Sequence, residues 1–228
     1  LWLVLGGLFL VPLLVAGLVL LVVVPDARDD RLGDSVRTGA PAVAAELSDL
    51  CLQLGLAVRN VVLESAVSSP QQAVDAVIAG GYADYAVVVG TDGAPLAEAG
   101  GLGRETGPPA ALPQCSGRGS AGGLLAERLD VSGVEGAATA VVAVELTRPL
   151  LEDLLARSAP DAQVVVLDGV QPVASSTDSA TAVEIAQLVG EREGTVSEDG
   201  WTVRVAEAGS GVPYRVAVAA RDGTDVAR

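Results

Sequence analysis

Few residues in this chain can do chemistry. It has no His, no Met and no Lys, and all 14 basic residues are Arg. Without His the usual catalytic triads are excluded, and the commonest general base and metal ligand is missing. Without Lys a phosphate loop of the Walker type is impossible, so Gly117-Arg118-Gly119-Ser120-Ala121-Gly122-Gly123 reads as a flexible loop. The carboxylates Asp26, Asp29 and Asp30, and Glu191, Glu193, Glu198 and Asp199, read as solvated faces. No enzyme activity, metal or cofactor is expected of this region. Two cysteines remain, Cys51 and Cys115, at a spacing that fits no zinc pattern. In an oxidising compartment a lone pair forms a disulfide; the rival reading is two unrelated buried thiols. For binding, Arg59, Tyr82 and Tyr85 are the candidates. A guanidinium fork beside an aromatic ring suits a carboxylate ligand. The plainer alternative is two packing tyrosines and a surface charge. Trp201 and Tyr214 read as core anchors.

The elements that position these groups begin with Leu1 to Val24, LWLVLGGLFLVPLLVAGLVLLVVV, which carries no charge. Roughly 20 helical residues cross a ~30 Å hydrocarbon core, and a single apolar run can span only as a helix. A signal peptide has a shorter apolar region and a small-residue cleavage site; here the run ends in Val-Val-Val-Pro25-Asp26. Residues 1–24 are therefore expected as a retained transmembrane helix. The following DARDDRLGD holds four Asp against two Arg, which favours an extracytoplasmic location for the bulk of the chain. A net charge of −15 and a pI near 4.2 argue against nucleic acid and anionic lipid surfaces as partners.

Residues 25–40 read as a polar linker or a helix start, with Asp34-Ser35 able to cap the next helix. From Val43 the apolar positions Leu47, Leu50, Leu54, Val58, Val61 and Val62 follow in helical steps. The spacing predicts a long amphipathic helix over 41–67 with Pro41 in its first turn, serving as core helix and stalk. Ser69 caps a second helix with Pro70 at its first position, ending at Gly80-Gly81. Strands are expected at 84–89, 95–99, 124–131 and 137–146. After the helix Arg148–Ser158 come strands at 163–168 and 171–175, a helix from Thr181, and strands at 201–207 and 214–220. Asp92-Gly93 and Asp168-Gly169 mark hairpins. Gly101 to Gly123 is a long irregular loop, of the kind that often carries function.

The second half repeats the first. VVVGTDGAPLAEAG from Val87 lies over VVVLDGVQPVASST from Val164, an offset of about 77 residues. The same offset lays Leu124–Gly133 over Trp201–Ser210 and Thr139–Leu146 over the last strand. That period exceeds the units of solenoids, so the chain reads as two copies of one small antiparallel unit.

A membrane helix, a long helix, then two strand–Asp-Gly–strand units each closed by two more strands resembles the extracytoplasmic Cache-type (PAS-like, possibly double Cache) sensor regions of bacterial transmembrane signalling receptors. The resemblance covers about residues 35–220 and rests on element order and hairpin signature. It implies an α+β fold: transmembrane helix 1–24, linker 25–40, and a long helix plus first, membrane-distal PAS-like unit over 41–158. A second, membrane-proximal unit follows over 159–220, then a tail 221–228 toward further sequence. It also implies a small-molecule ligand, a homodimer through the long helix, and a kinase, cyclase or chemotaxis output beyond the tail. A single Cache with an appended half-unit stays open. So does a different function: a membrane-anchored envelope protein with a structural or protein-binding role and no small ligand.

Overall fold

The computed structural model describes residues 2–103, 112, 115, 122–132, 134–209 and 212–221, with side chains from Gly33 onward. The order of elements is α1 (Trp2–Val67), α2 (Pro70–Ala79), β1 (Tyr85–Gly90), β2 (Pro95–Gly100), β3 (Leu124–Asp130), β4 (Ala137–Glu145), α3 (Arg148–Ser158), β5 (Gln163–Asp168), β6 (Gln171–Ser175), α4 (Ser179–Val189), β7 (Gly194–Glu198), β8 (Trp201–Glu207) and β9 (Arg215–Arg221). Most of the loop expected between Gly101 and Gly123, with its Gly-rich segment, lies outside the described residues. So does the tail 222–228.

Helix α1 is one continuous element of 66 residues, about 100 Å at 1.5 Å per residue. This corrects two expectations. Residues 25–40 are helix, not a linker, and Pro41 lies inside α1 rather than in its first turn. Proline removes one hydrogen bond from a helix interior. Here packing holds the helix together on both sides of it: Val36, Gly39 and Ala40 before Pro41 and Val43 and Ala44 after it are all buried. The predicted stripe is the buried one, with Leu47, Leu54, Val58 and Val61 at 0–3% exposure. Residues 33–67 are long and apolar enough to cross a membrane by length and composition, but this part of α1 packs on both sheets. Ser68 and Ser69 end the helix. Ser69 is extended, as the residue before a proline prefers, and its hydroxyl accepts the Gln72 amide at 3.3 Å.

Two antiparallel sheets pack along α1. Sheet 1 has the order β2-β1-β4-β3 and sheet 2 the order β6-β5-β9-β8-β7. Apart from β7 the two orders are the same, with β1, β2, β3 and β4 in the places of β5, β6, β8 and β9. Both leading hairpins also carry a register shift within one residue of the matching point, between Val88 and Val89 and between Val166 and Leu167. Strand β7 was not expected. It pairs with β8 through a tight turn at Asp199 (φ 52°) and Gly200 (φ 74°), the two left-handed positions that an Asp-Gly hairpin needs. Its residues Thr195, Ser197 and Glu198 are exposed, so the edge strand reads as a charged surface segment.

One continuous core joins α1 to the inner faces of both sheets. It takes in Ala86, Val88 and Val142 from sheet 1 and Val164, Val216 and Val218 from sheet 2. Along α1, sheet 2 is met first: a Cβ on Gly39 would lie 2.7 Å from the Ala159 Cβ and 3.4 Å from Val218. Sheet 1 lies farther along, beyond Cys51. The two outer faces differ. Helix α4, capped by Asp178 at the Ala180 and Thr181 amides, lays Ala182, Ile185, Ala186 and Val189 on Trp201, Val203 and Ala217 of sheet 2. Sheet 1 has no such helix among the described residues.

The approach at Gly39 gives a paired test. Replacing a helical Gly by Ala ordinarily stabilises by roughly 0.5–1 kcal/mol. Gly55→Ala, with nothing within 4 Å of the new methyl, should show that gain. Gly39→Ala should instead destabilise by about 1–3 kcal/mol, the usual cost of overpacking. Urea unfolding of the two variants side by side checks the difference in sign.

Candidate functional site

The outer face of sheet 1 is built by strand alternation. Side chains pointing away from α1 recur every second residue, and Tyr85, Val87 and Val89 of β1 form the middle row. The antiparallel register sets Val141 and Ala143 of β4 beside them, with Leu124 and Ala126 of β3 beyond. Leu102 and Leu112 lie on this apolar floor. On the other side Glu98 of β2 stands opposite Val87, and on the far edge Arg128 of β3 stands opposite Val141. The face thus has an apolar centre with a carboxylate on one margin and a guanidinium on the other.

Thr139 of β4 stands opposite Val89 on this face, and the buried polar group between Glu98 and the apolar floor is the Tyr85 hydroxyl. Burial and the neighbouring Glu98 carboxylate, to which it is hydrogen-bonded, hold its pKa well above the usual tyrosine range. It therefore stays a protonated donor at any working pH. The N-terminal approach to the face is tied by Asp84 and Glu145. The Glu145 amide donates to Asp84 Oδ2 at 2.9 Å, and the Gly103 amide donates to Glu145 Oε2 at 2.8 Å. Gly100 (φ 78°) must be glycine, since a Cβ there would sit 2.0 Å from the Asp84 carbonyl oxygen.

The three residues singled out for binding do not meet. Tyr85 is buried on this outer face. Tyr82 is 59% exposed beside a groove of about 350 Å³ between α1 and α2, whose walls include Asn60, Leu63, Glu64 and Val77. Arg59 is exposed on α1, and sheet 1 separates the α1 side from the Tyr85 face. Glu98 and Arg128 were missed. Alternation counted from Tyr85, plus the Asp-Gly turn that sets the hairpin register, was the signal that places Glu98 on the tyrosine's face. Trp201 and Tyr214 are buried, at 2% exposure each. Among the described residues no group of three or more His, Cys, Asp or Glu could hold a metal ion.

Cys51 and Cys115 are bonded, with their Cα atoms 5.9 Å apart. Cys115 is 2% exposed, and its amide donates to the Ala126 carbonyl of β3 at 2.7 Å. The disulfide therefore ties α1 to the strand that carries one edge of the face.

No protein-family model matches the chain, and no curated protein sequence does. Solved structures do match. The ligand-binding domain of the Pseudomonas fluorescens chemoreceptor CtaA in complex with L-valine aligns over 88% of this chain and 99% of its own, with a TM-score of 0.55 at 11% identity. That of the Pseudomonas aeruginosa chemoreceptor PctB in complex with L-Arg aligns over 89% and 97%, with 0.53 at 11% identity. That of P. aeruginosa PctC in complex with GABA aligns over 79% and 96%, with 0.53 at 14% identity. The α+β architecture of a long helix and two antiparallel sheets is thus shared with the ligand-binding domains of these chemoreceptors.

The disulfide closes a loop of 64 residues. In the chain-entropy model that is worth about 4 kcal/mol. Replacing both cysteines by Ala should lower the urea midpoint by roughly 2 M at an m-value near 2 kcal/mol/M. Wild-type protein denatured without reductant should take up no thiol reagent.

Proposed function

We propose that this chain is the extracytoplasmic ligand-sensing region of a bacterial membrane receptor, tethered by residues 1–24, and that its ligand sits on the outer face of sheet 1. The observation that carries this reading is the difference, among the described residues, between the outer faces of two like sheets. Sheet 2 has its outer face sealed by the apolar residues of α4. Sheet 1 keeps Tyr85, Glu98 and Arg128 around an apolar floor. An apolar surface with a few placed polar groups is the usual make-up of a small-molecule site. The three similar domains bind L-valine, L-Arg and GABA, each bearing an ammonium and a carboxylate. A zwitterion of that kind suits a face with Glu98 on one margin and Arg128 on the other, and the Tyr85 hydroxyl, which donates to Glu98, holds that carboxylate on the face.

The receptor reading includes a homodimer through α1. Leu52, Leu56 and Leu63 are 69%, 62% and 67% exposed. With Arg59 they follow steps of four, three and four, the seam of a two-stranded coiled coil. The seam lies on the side of α1 opposite its core stripe. A second copy fits because both α1 helices enter one membrane through the same apolar run, which sets them parallel and level. Arg59 then belongs to the seam rather than to the ligand, its guanidinium reaching outward from a stem packed between leucines. Signalling requires that the ligand bind one arrangement of sheets and α1 better than another.

The ligand test is a thermal-shift panel of the common amino acids and GABA on the full chain in detergent. A ligand at a hundred times its Kd should stabilise the protein by about 2.7 kcal/mol, a rise of several degrees that Tyr85→Ala abolishes. A flat panel would favour the envelope-protein alternative. For the seam, Leu56→Cys in membranes should cross-link to a dimer under mild oxidation, whereas Asp75→Cys on α2 should not. Equal yields at the two positions would count against the α1 dimer.

A further inference from the structure

The ligand face and the second sheet share a buried contact that neither sheet needs for its own pairing. Leu124 is the first residue of β3, and its side chain belongs to the outer face of sheet 1. Its carbonyl oxygen accepts the Tyr214 hydroxyl at 2.9 Å, in a buried position. Tyr214 leads into β9, the central strand of sheet 2, and is 90 residues away in sequence. Directly before Leu124, Gly123 (φ 88°) meets β6: a Cβ there would sit 2.6 Å from the Val173 carbonyl oxygen. The Gly123 carbonyl in turn accepts the Leu146 amide at 2.8 Å, at the corner where β4 runs into α3. A strand end that lines the face is thus held from sheet 2 on two sides, by a tyrosine hydroxyl and by a backbone contact that admits no side chain.

Two further bonds bring a perturbation to the same strand. Cys115 donates to Ala126, two residues along β3, and is itself bonded to Cys51 on α1. The order of contact is α1, disulfide, β3, Tyr214, β9. Core packing gives a second route between the sheets, along the buried stripe of α1. The two routes predict different behaviour when the hydroxyl is removed.

We propose that the Tyr214–Leu124 hydrogen bond, seated beside the Gly123–Val173 contact, is the joint through which the outer face of sheet 1 is coupled to sheet 2. The inference deepens the sensor reading and rests on it: a ligand on that face touches the strand end that Tyr214 holds. A physical coupling claim needs an element whose state both sites bias, and here that element is the first turn of residues of β3. The hydroxyl bond can be made or lost without unpairing either sheet, because no ladder bond is spent on it.

The test needs no ligand. Hydrogen exchange is followed by mass spectrometry on the full chain in nanodiscs, before and after reduction of Cys51–Cys115 with a phosphine. In wild type, reduction should speed exchange at least threefold in residues 124–130 and also in 171–175 and 214–220. In Tyr214→Phe, reduction should still speed 124–130, while 171–175 and 214–220 no longer respond. Wild-type sheet 2 that ignores reduction overturns the joint. So does a Tyr214→Phe variant that passes the change on undiminished, since the route is then α1. Should Tyr214→Phe not fold, Gly123→Ala replaces it. Its methyl should raise exchange in 171–175 severalfold with the disulfide intact, and no change there overturns the proposal. A flat amino-acid panel would remove the ligand reading and leave this result standing; a negative exchange result would remove the joint and leave the ligand reading standing.

Discussion

Everything in this structure depends on burying one stripe of one helix against two sheets. From Val36 to Val61, about 38 Å at the helical rise, α1 offers a residue to the core every three or four positions. Sheet 2 takes the first half of that stripe and sheet 1 the second, within one hydrophobic cluster. Neither sheet has another partner of comparable length on its inner face. Burial at roughly 25 cal/mol per Å² of apolar surface therefore fixes the helix to both sheets at once. It also explains the passage through Pro41. The lost backbone bond is small beside the packing of Val36, Ala40, Val43 and Leu47 around it.

With the inner faces committed to α1, the outer faces are where the two units diverge. Both present the same strand order, and each needs its apolar side covered. In sheet 2 the segment between the leading hairpin and the next strands is α4 and β7. An Asp cap, an apolar face and a tight Asp-Gly turn make that cover regular and dry. In sheet 1 the corresponding segment is rich in Gly and Pro, which disfavour a helix, and its described anchors are single points: Gly103 on Glu145, Cys115 on Cys51 and Ala126, Gly123 on Val173. Tyr85 and Glu98 place a hydrogen-bonded polar pair on the outer face of sheet 1.

The repeat was readable because it is written in backbone chemistry. Asp-Gly pairs set the hairpins, valine runs set the strands, and the offset of about 77 residues carries β3 (124–130) onto β8 (201–207) without adjustment. What failed to show had specific causes. Residues 25–40 hide their helix behind a charge cluster, and their packing partners, Ala159 and Val218, are more than 100 residues away. Pro41 imitates a helix start, because proline is as welcome at a first turn as it is tolerated under tertiary packing. Strand β7 is an edge strand with exposed Thr195, Ser197 and Glu198, so its alternation is mostly polar. Arg59, Tyr82 and Tyr85 share residue types suited to a carboxylate, but residue type does not report which side of the sheet a side chain faces. A strand sends Tyr85 through to the far side of the sheet, while Tyr82, still in the loop, stays beside the helices.

This arrangement decides how a ligand signal would have to travel. The outer face of sheet 1 and the buried stripe of α1 are separated by the sheet itself. A small molecule on that face touches no residue of the helix core. Its only handles are strand positions and the groups fastened to them. Shifts confined to side chains on one face are absorbed there, because the inner face is close-packed and resists deformation. A displacement that matters must move strand β3 as a body, and β3 is the strand with outside attachments at both levels: to α1 through Cys115, and to sheet 2 through Leu124. The long helix, gripped by both sheets, then responds to a change in how one sheet sits relative to the other. A change of that kind is what differential ligand affinity would have to bias. Leu52, Leu56 and Leu63 face away from the sheets, so under the proposed α1 dimer a shift in the grip on the core stripe would turn the face the helix offers to a second copy.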